Sequence, residues 1–117
     1  MNKLSVQIQS DLVTDVDAKH IIELLMQLAK DTSLVQDSHV THGSDNGHYI
    51  NIVFQTPDAP RLWQAIQSTL CLTPENMPPI SRSIIVVCEG KNGWNDYLLL
   101  HHFDKSEALD IFPSKPA

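Results

Sequence analysis

The stretch His42-Gly43-Ser44-Asp45-Asn46-Gly47-His48-Tyr49-Ile50-Asn51-Ile52-Val53-Phe54-Gln55 decides the fold class. His42 to Gly47 is turn chemistry throughout, and Asn46-Gly47 is the strongest short-range hairpin signal because both positions tolerate positive φ. From His48 onward Ile50, Ile52 and Phe54 fall on one side, with Tyr49, Asn51 and Val53 on the other. That is the period-2 pattern of a strand. Leu34 to Thr41 supplies the partner; Val35 and Val40 are apolar but Ser38 and His39 are not, so it reads as an edge strand. Residues 34–55 are therefore a hairpin.

What stands on either side of the hairpin sets the topology. Upstream, Leu4, Val6 and Ile8 alternate with Ser5, Gln7 and Gln9 as a strand. Asp11 to Asp17 offers helix-start chemistry, with Thr14 or Asp15 as cap. Ile21, Leu24, Leu25 and Leu28 then recur at helical spacing, predicting a helix that ends near Asp31. Downstream, Thr56-Pro57-Asp58-Ala59-Pro60 opens a second helix whose apolar stripe is Leu62, Trp63, Ile66, Thr69 and Leu70. It stops near Leu72, because Thr73 to Pro79 cannot continue it, and that Pro-rich segment is a crossing loop. Ser83 to Cys88 is β-branched and apolar on both faces, as in a strand covered on both sides or packed at an interface. Glu89 to Asp96 reads as a loop, Tyr97 to Phe103 as a last strand, and Ser106 to Ile111 as a short helix. The expectation is one α+β domain over residues 1–117, with 113–117 as a disordered tail. Its first six elements run βαββαβ, the ferredoxin-like or split-βαβ order, with an added C-terminal strand and two helices on one sheet face.

Length and composition bound the function. The chain has 117 residues, 42% apolar and 19% charged, enough for one cooperative core. Fourteen acids against eight bases give a formal net charge of -6 and a pI near 5.3. Such a chain lacks the footprint of a nucleic-acid binder and favours a basic partner. The charge is also placed: residues 1–60 hold eight acids and three bases, and no Lys or Arg occurs from Asp31 to Pro60. No signal peptide or membrane-length apolar run is visible, so a cytoplasmic protein without a membrane partner is expected. In that setting Cys71 and Cys88 are expected to be buried thiols.

The chemistry-bearing residues fall into three groups. His39, His42 and His48, with Asp37 and Asp45 close by, are of the right type for zinc or nickel. His39 and His42 are three apart, however, and on a strand such a pair points to opposite faces. Ser81, Ser83 and Cys88 carry no nucleophile motif, and four glycines in all give no phosphate-cradling loop, so no enzyme activity and no cofactor are expected. The segment Glu89-Gly90-Lys91-Asn92-Gly93-Trp94-Asn95-Asp96-Tyr97 is the third group. It sets two residues favoured at binding hot spots beside two acids.

Across Cys88 to Phe103, and in size and acidity over the whole chain, the sequence resembles the small immunity proteins of bacterial polymorphic toxin and contact-dependent inhibition systems. The resemblance implies a cytoplasmic, non-enzymatic protein that binds a cognate toxin domain, often a basic nuclease, and blocks its active site. The chemistry of this chain names the residues: Asp37, Asp45, Glu89, Asp96 and Asp104 as steering charges, with Trp94 and Tyr97 as anchors. Two other functions fit the same features. One is a ferredoxin-like dimer serving as a small-ligand or regulatory module, with strand 83–88 forming the dimer sheet. The other is a small metal-dependent hydrolase using the histidine turn.

Overall fold

A computed structural model describes residues 2–44, 48–70, 82–90, 93–103 and 108–110. Seven main elements follow one another: β1 (Asn2–Gln9), α1 (Asp15–Leu28), β2 (Asp37–Ser44), β3 (His48–Thr56), α2 (Ala59–Leu70), β4 (Ile84–Gly90) and β5 (Gly93–His101). A 3-10 turn at Ser10–Leu12 links β1 to α1. The protein is α+β; among the described residues five strands form one sheet ordered β2-β3-β1-β4-β5, every neighbouring pair antiparallel.

Register explains where the core lies. Val6 stands opposite Ile52 on β3 and Val86 on β4, and Leu4 stands opposite Phe54 and Cys88. Residues paired across a ladder share a face. Leu4, Val6, Ile8, Ile52, Phe54, Ile84, Val86 and Cys88 therefore form one apolar surface, and all are fully buried. Ala18, Ile21 and Leu25 of α1 and Ala59, Leu62, Ile66 and Leu70 of α2 complete the same cluster. Both helices thus cover one face. The other face carries Lys3, Gln7, Asn51, Val53, Ile85 and Val87, none of them fully buried.

The helix ends follow their caps. Thr14 Oγ1 accepts from the Asp17 N–H at 3.1 Å, with Asp15 and Asp17 in the first turn, where acids complement the helix dipole. Thr56 Oγ1 accepts from the Asp58 N–H, and Asp58 Oδ1 in turn accepts from the Arg61 N–H, so α2 begins at Ala59. α1 ends at Leu28, a few residues short of the expected Asp31, while α2 runs to Leu70 and the expected stop near Leu72 lies outside the described residues.

Three boundaries are corrected. The expected strand from Leu34 begins only at Asp37. Leu34 and Val35 are buried through a turn in which both of their amides donate to the Asp31 carbonyl, so their apolarity belongs to a plug and not to a ladder. The strand also runs on through His42, Gly43 and Ser44, which had read as turn; the Asn46-Gly47 signal itself lies outside the described residues. Finally, the expected loop from Glu89 to Asp96 is mostly strand. β4 reaches Gly90 and β5 starts at Gly93, whose φ of 76° suits only glycine. The crossing loop 73–79 and Cys71 lie outside the described residues, and Ala108 to Asp110 take no helical form.

Candidate binding face

β5 is added outside β4, and its irregular register shapes the site. Val87 faces Leu99, but Val86 faces His101, which leaves Leu100 as the extra residue of a bulge. Leu100 and His101 are consecutive and both buried. The alternation of β4 then delivers Ile85 and Val87 to the sheet face opposite the helices, which no other described element covers, and β5 adds Leu99. Trp94, Tyr97 and His102 complete an open apolar groove of about 420 Å³. Trp94 is 44% exposed and Tyr97 55%, while Ile85, Val87 and Leu99 are half-buried beneath them. The His102 ring lies against Phe103, with centroids 4.6 Å apart.

The acids expected to steer a partner divide among several places. Asp96 is exposed on β5 between the two anchors. Glu89 is committed to the scaffold: its Oε1 accepts from the Lys3 N–H at 2.6 Å, and its carbonyl accepts from Asn2 Nδ2 at 3.1 Å. Asp37 is exposed but sits on β2, at the far edge of the sheet. Four strand spacings separate those edges, about 19 Å. Asp45 and Asp104 lie outside the described residues. The structure therefore brings Trp94 and Tyr97 together in the groove, sets Asp96 between them in sequence but not in the groove's lining, and leaves Asp37 at the opposite edge.

The other candidates are placed as follows. His39 pairs with Val53 on the uncovered face, whereas His42 pairs with Ile50 on the helix side, where His48 also falls. Among the described residues, no group of three His, Cys, Asp or Glu side chains is set to hold a metal ion. Cys88 is a free, buried thiol pushed up to about 11 by burial and, secondarily, by the charge of Glu89. At neutral pH it is protonated and a poor nucleophile. A dimer sheet continued through residues 83–88 is not available, because β4 already has β1 on one side and β5 on the other. No described helix is long and apolar enough to cross a membrane.

Sequence reasoning missed Ile85, Val87, Leu99 and His102 as parts of the site. The usable signal was the two-faced apolarity of Ile84 to Cys88, which required something on each side. The α-helices cover only one.

No family model, curated protein or solved structure matches this chain. The groove therefore stands on its own chemistry.

Proposed function

We propose that the protein is a non-enzymatic binding protein that neutralises a basic partner protein, acting as an immunity protein against a cognate toxin domain. The observation that carries this reading is the groove on the uncovered sheet face, where Trp94 and Tyr97 stand exposed over Ile85, Val87 and Leu99. Aromatic anchors standing over an apolar floor are the arrangement from which binding hot spots are made. The net charge of -6 supplies long-range attraction to a basic surface. The class of fold that fits is ferredoxin-like with one added strand. In its support, β3 lies between β1 and β2, and β1 lies between β3 and β4, so each strand–helix–strand unit straddles a strand of the other.

The test is a binding titration against the protein encoded by the adjacent reading frame. A complex that weakens with salt, and weakens by at least tenfold in Trp94→Ala or Tyr97→Ala, is the expected result. Binding that ignores both ionic strength and these two side chains overturns the reading.

A further inference from the structure

The two edges of the sheet are not alike. At the β5 edge Leu99 is closed off: its carbonyl accepts from the Asp110 N–H at 2.7 Å, and its own N–H donates to Asp110 Oδ2 at 2.9 Å. β2, at the other edge, has eight residues bonded on one side to β3 and, among the described residues, no strand on the other. The Ser38 N–H shows which groups face outward, since it donates to the carboxylate of its neighbour Asp37 at 2.9 Å. By the alternation of an antiparallel strand, the amides of Val40 and His42 face the same way.

Open edges are normally guarded by lysine, by proline or by extreme shortness. β2 has none of these guards. Its sequence is Asp37-Ser38-His39-Val40-Thr41-His42-Gly43-Ser44, and Val40 at its centre is 38% exposed. The charge there has one sign. No Lys or Arg occurs from Asp31 to Pro60, which includes all of β2 and β3. Asp37 sets its carboxylate on the rim itself, and Asp31 lies in the turn before it, with Arg61 of α2 offsetting part of that charge. An unguarded backbone rim lined by carboxylate is complementary to a strand that carries cations.

We propose that the open edge of β2 takes up an extended, Lys- or Arg-bearing segment of the basic partner as a sixth strand. Backbone hydrogen bonds to Val40 and His42 provide the pairing, and Asp37 favours a cation opposite it. The inference rests on the proposed function only for the sign of the partner's charge, and it names a surface distinct from the groove.

A blocked eight-residue peptide of alternating Lys and Val serves as probe. It is expected to bind saturably at low salt, to weaken as added salt shortens the range of the charges, and to protect the Val40 and His42 amides from hydrogen exchange. His42→Pro, which removes an outward amide without touching the β2–β3 ladder, should weaken binding at least tenfold. His39→Lys tests the same point without altering the backbone, by placing a gatekeeper cation on an exposed position. Trp94→Ala should leave the peptide affinity unchanged. The proposal is overturned if no saturable binding occurs at low salt, or if a Glu/Val peptide binds equally well. It is overturned too if neither β2 variant matters, or if the protein instead dimerises through β2. A cognate partner that needs Trp94 but ignores both β2 variants would sink the edge proposal and leave the groove reading intact.

Discussion

Gly90 lies so close to Asp96 that a methyl group on its α-carbon would land on the Asp96 carbonyl oxygen. The contact is made where the β4–β5 register shifts between Cys88 and Gly90, so the close approach of the two backbones is what lets the hairpin close and present Trp94 and Tyr97. Nothing flexible is available to yield, because the obstructing atom is backbone. Gly90→Ala is expected to cost about 3 kcal/mol, the upper part of the usual range for overpacking. Gly93→Ala is strained by its φ of 76° instead, with a side-chain oxygen of Glu89 3.7 Å from the added carbon; it should cost about 1–2 kcal/mol. Urea unfolding of the two variants checks both the size and the order.

Trp94 and Tyr97 are expected to separate binding from stability. Each is about half exposed, so truncation to Ala gives up about half a ring of buried surface but leaves no enclosed cavity, and should lower unfolding free energy by about 1–2 kcal/mol without preventing folding. The same truncations should weaken partner binding by about 2 kcal/mol each, roughly thirtyfold. A variant that loses stability but keeps its partner affinity would show that the ring is a core residue rather than an anchor. Calorimetric titration beside a denaturation curve distinguishes the two.

The ladder core was legible because its physics is local. Leu4, Val6 and Ile8, or Ile52 and Phe54, alternate in the sequence as they alternate on the sheet, and both helices announce their buried stripes and caps. Leu34 and Val35 were misassigned because burial by a turn leaves the same apolar signature as burial by a strand. The segment from Glu89 to Asp96 was read as loop because Asn and Gly signal a break, and the sequence does not say how short it is. Trp94 and Tyr97 were legible as candidate anchors by residue type alone. Their floor was not, since Ile85, Val87 and Leu99 meet only through the β4–β5 pairing.

Gly43 and Tyr49 are coupled across the β2–β3 hairpin. They are a cross-strand pair, and a β-carbon at Gly43 would enter the Tyr49 ring. The ring sits at the far end of a side chain and can swing away, so Gly43→Ala should cost less than Gly90→Ala, about 1 kcal/mol. Tyr49→Ala should abolish that penalty, making the double variant no less stable than Tyr49→Ala alone. A double-mutant cycle reads the coupling directly.

Cys88 gives the protein an alkaline liability. Burial, with help from the Glu89 charge, pushes its thiol up to about 11 from an ordinary value of 9.0. The folded state therefore holds its proton more tightly than the unfolded state. Stability from this group is complete below pH 9 and is lost as pH rises through 11. Cys88→Ala lacks the thiol and should show a shallower fall in unfolding midpoint across that window, whatever its stability at neutral pH. In a Cys71→Ser background, Cys88 should react with iodoacetamide at neutral pH only as fast as the protein opens.

Asp110 should decide whether the β5 edge stays closed. It takes the Leu99 N–H on its carboxylate and gives its own N–H to the Leu99 carbonyl, so one residue satisfies both outward groups at that position. Asp110→Ala removes only the acceptor, and the loss of one such bond should cost about 1 kcal/mol. Asp110→Asn keeps an acceptor oxygen and should recover most of that. The Leu99 amide reports the difference: its hydrogen exchange should quicken in Asp110→Ala, by roughly fivefold for that free energy, and far less in Asp110→Asn. Because Leu99 also lines the groove, the Ala variant should loosen partner binding as well, while the peptide probe for β2 binds it unchanged. Equal exchange in both variants would mean that the backbone bond alone holds the edge and that the carboxylate is incidental.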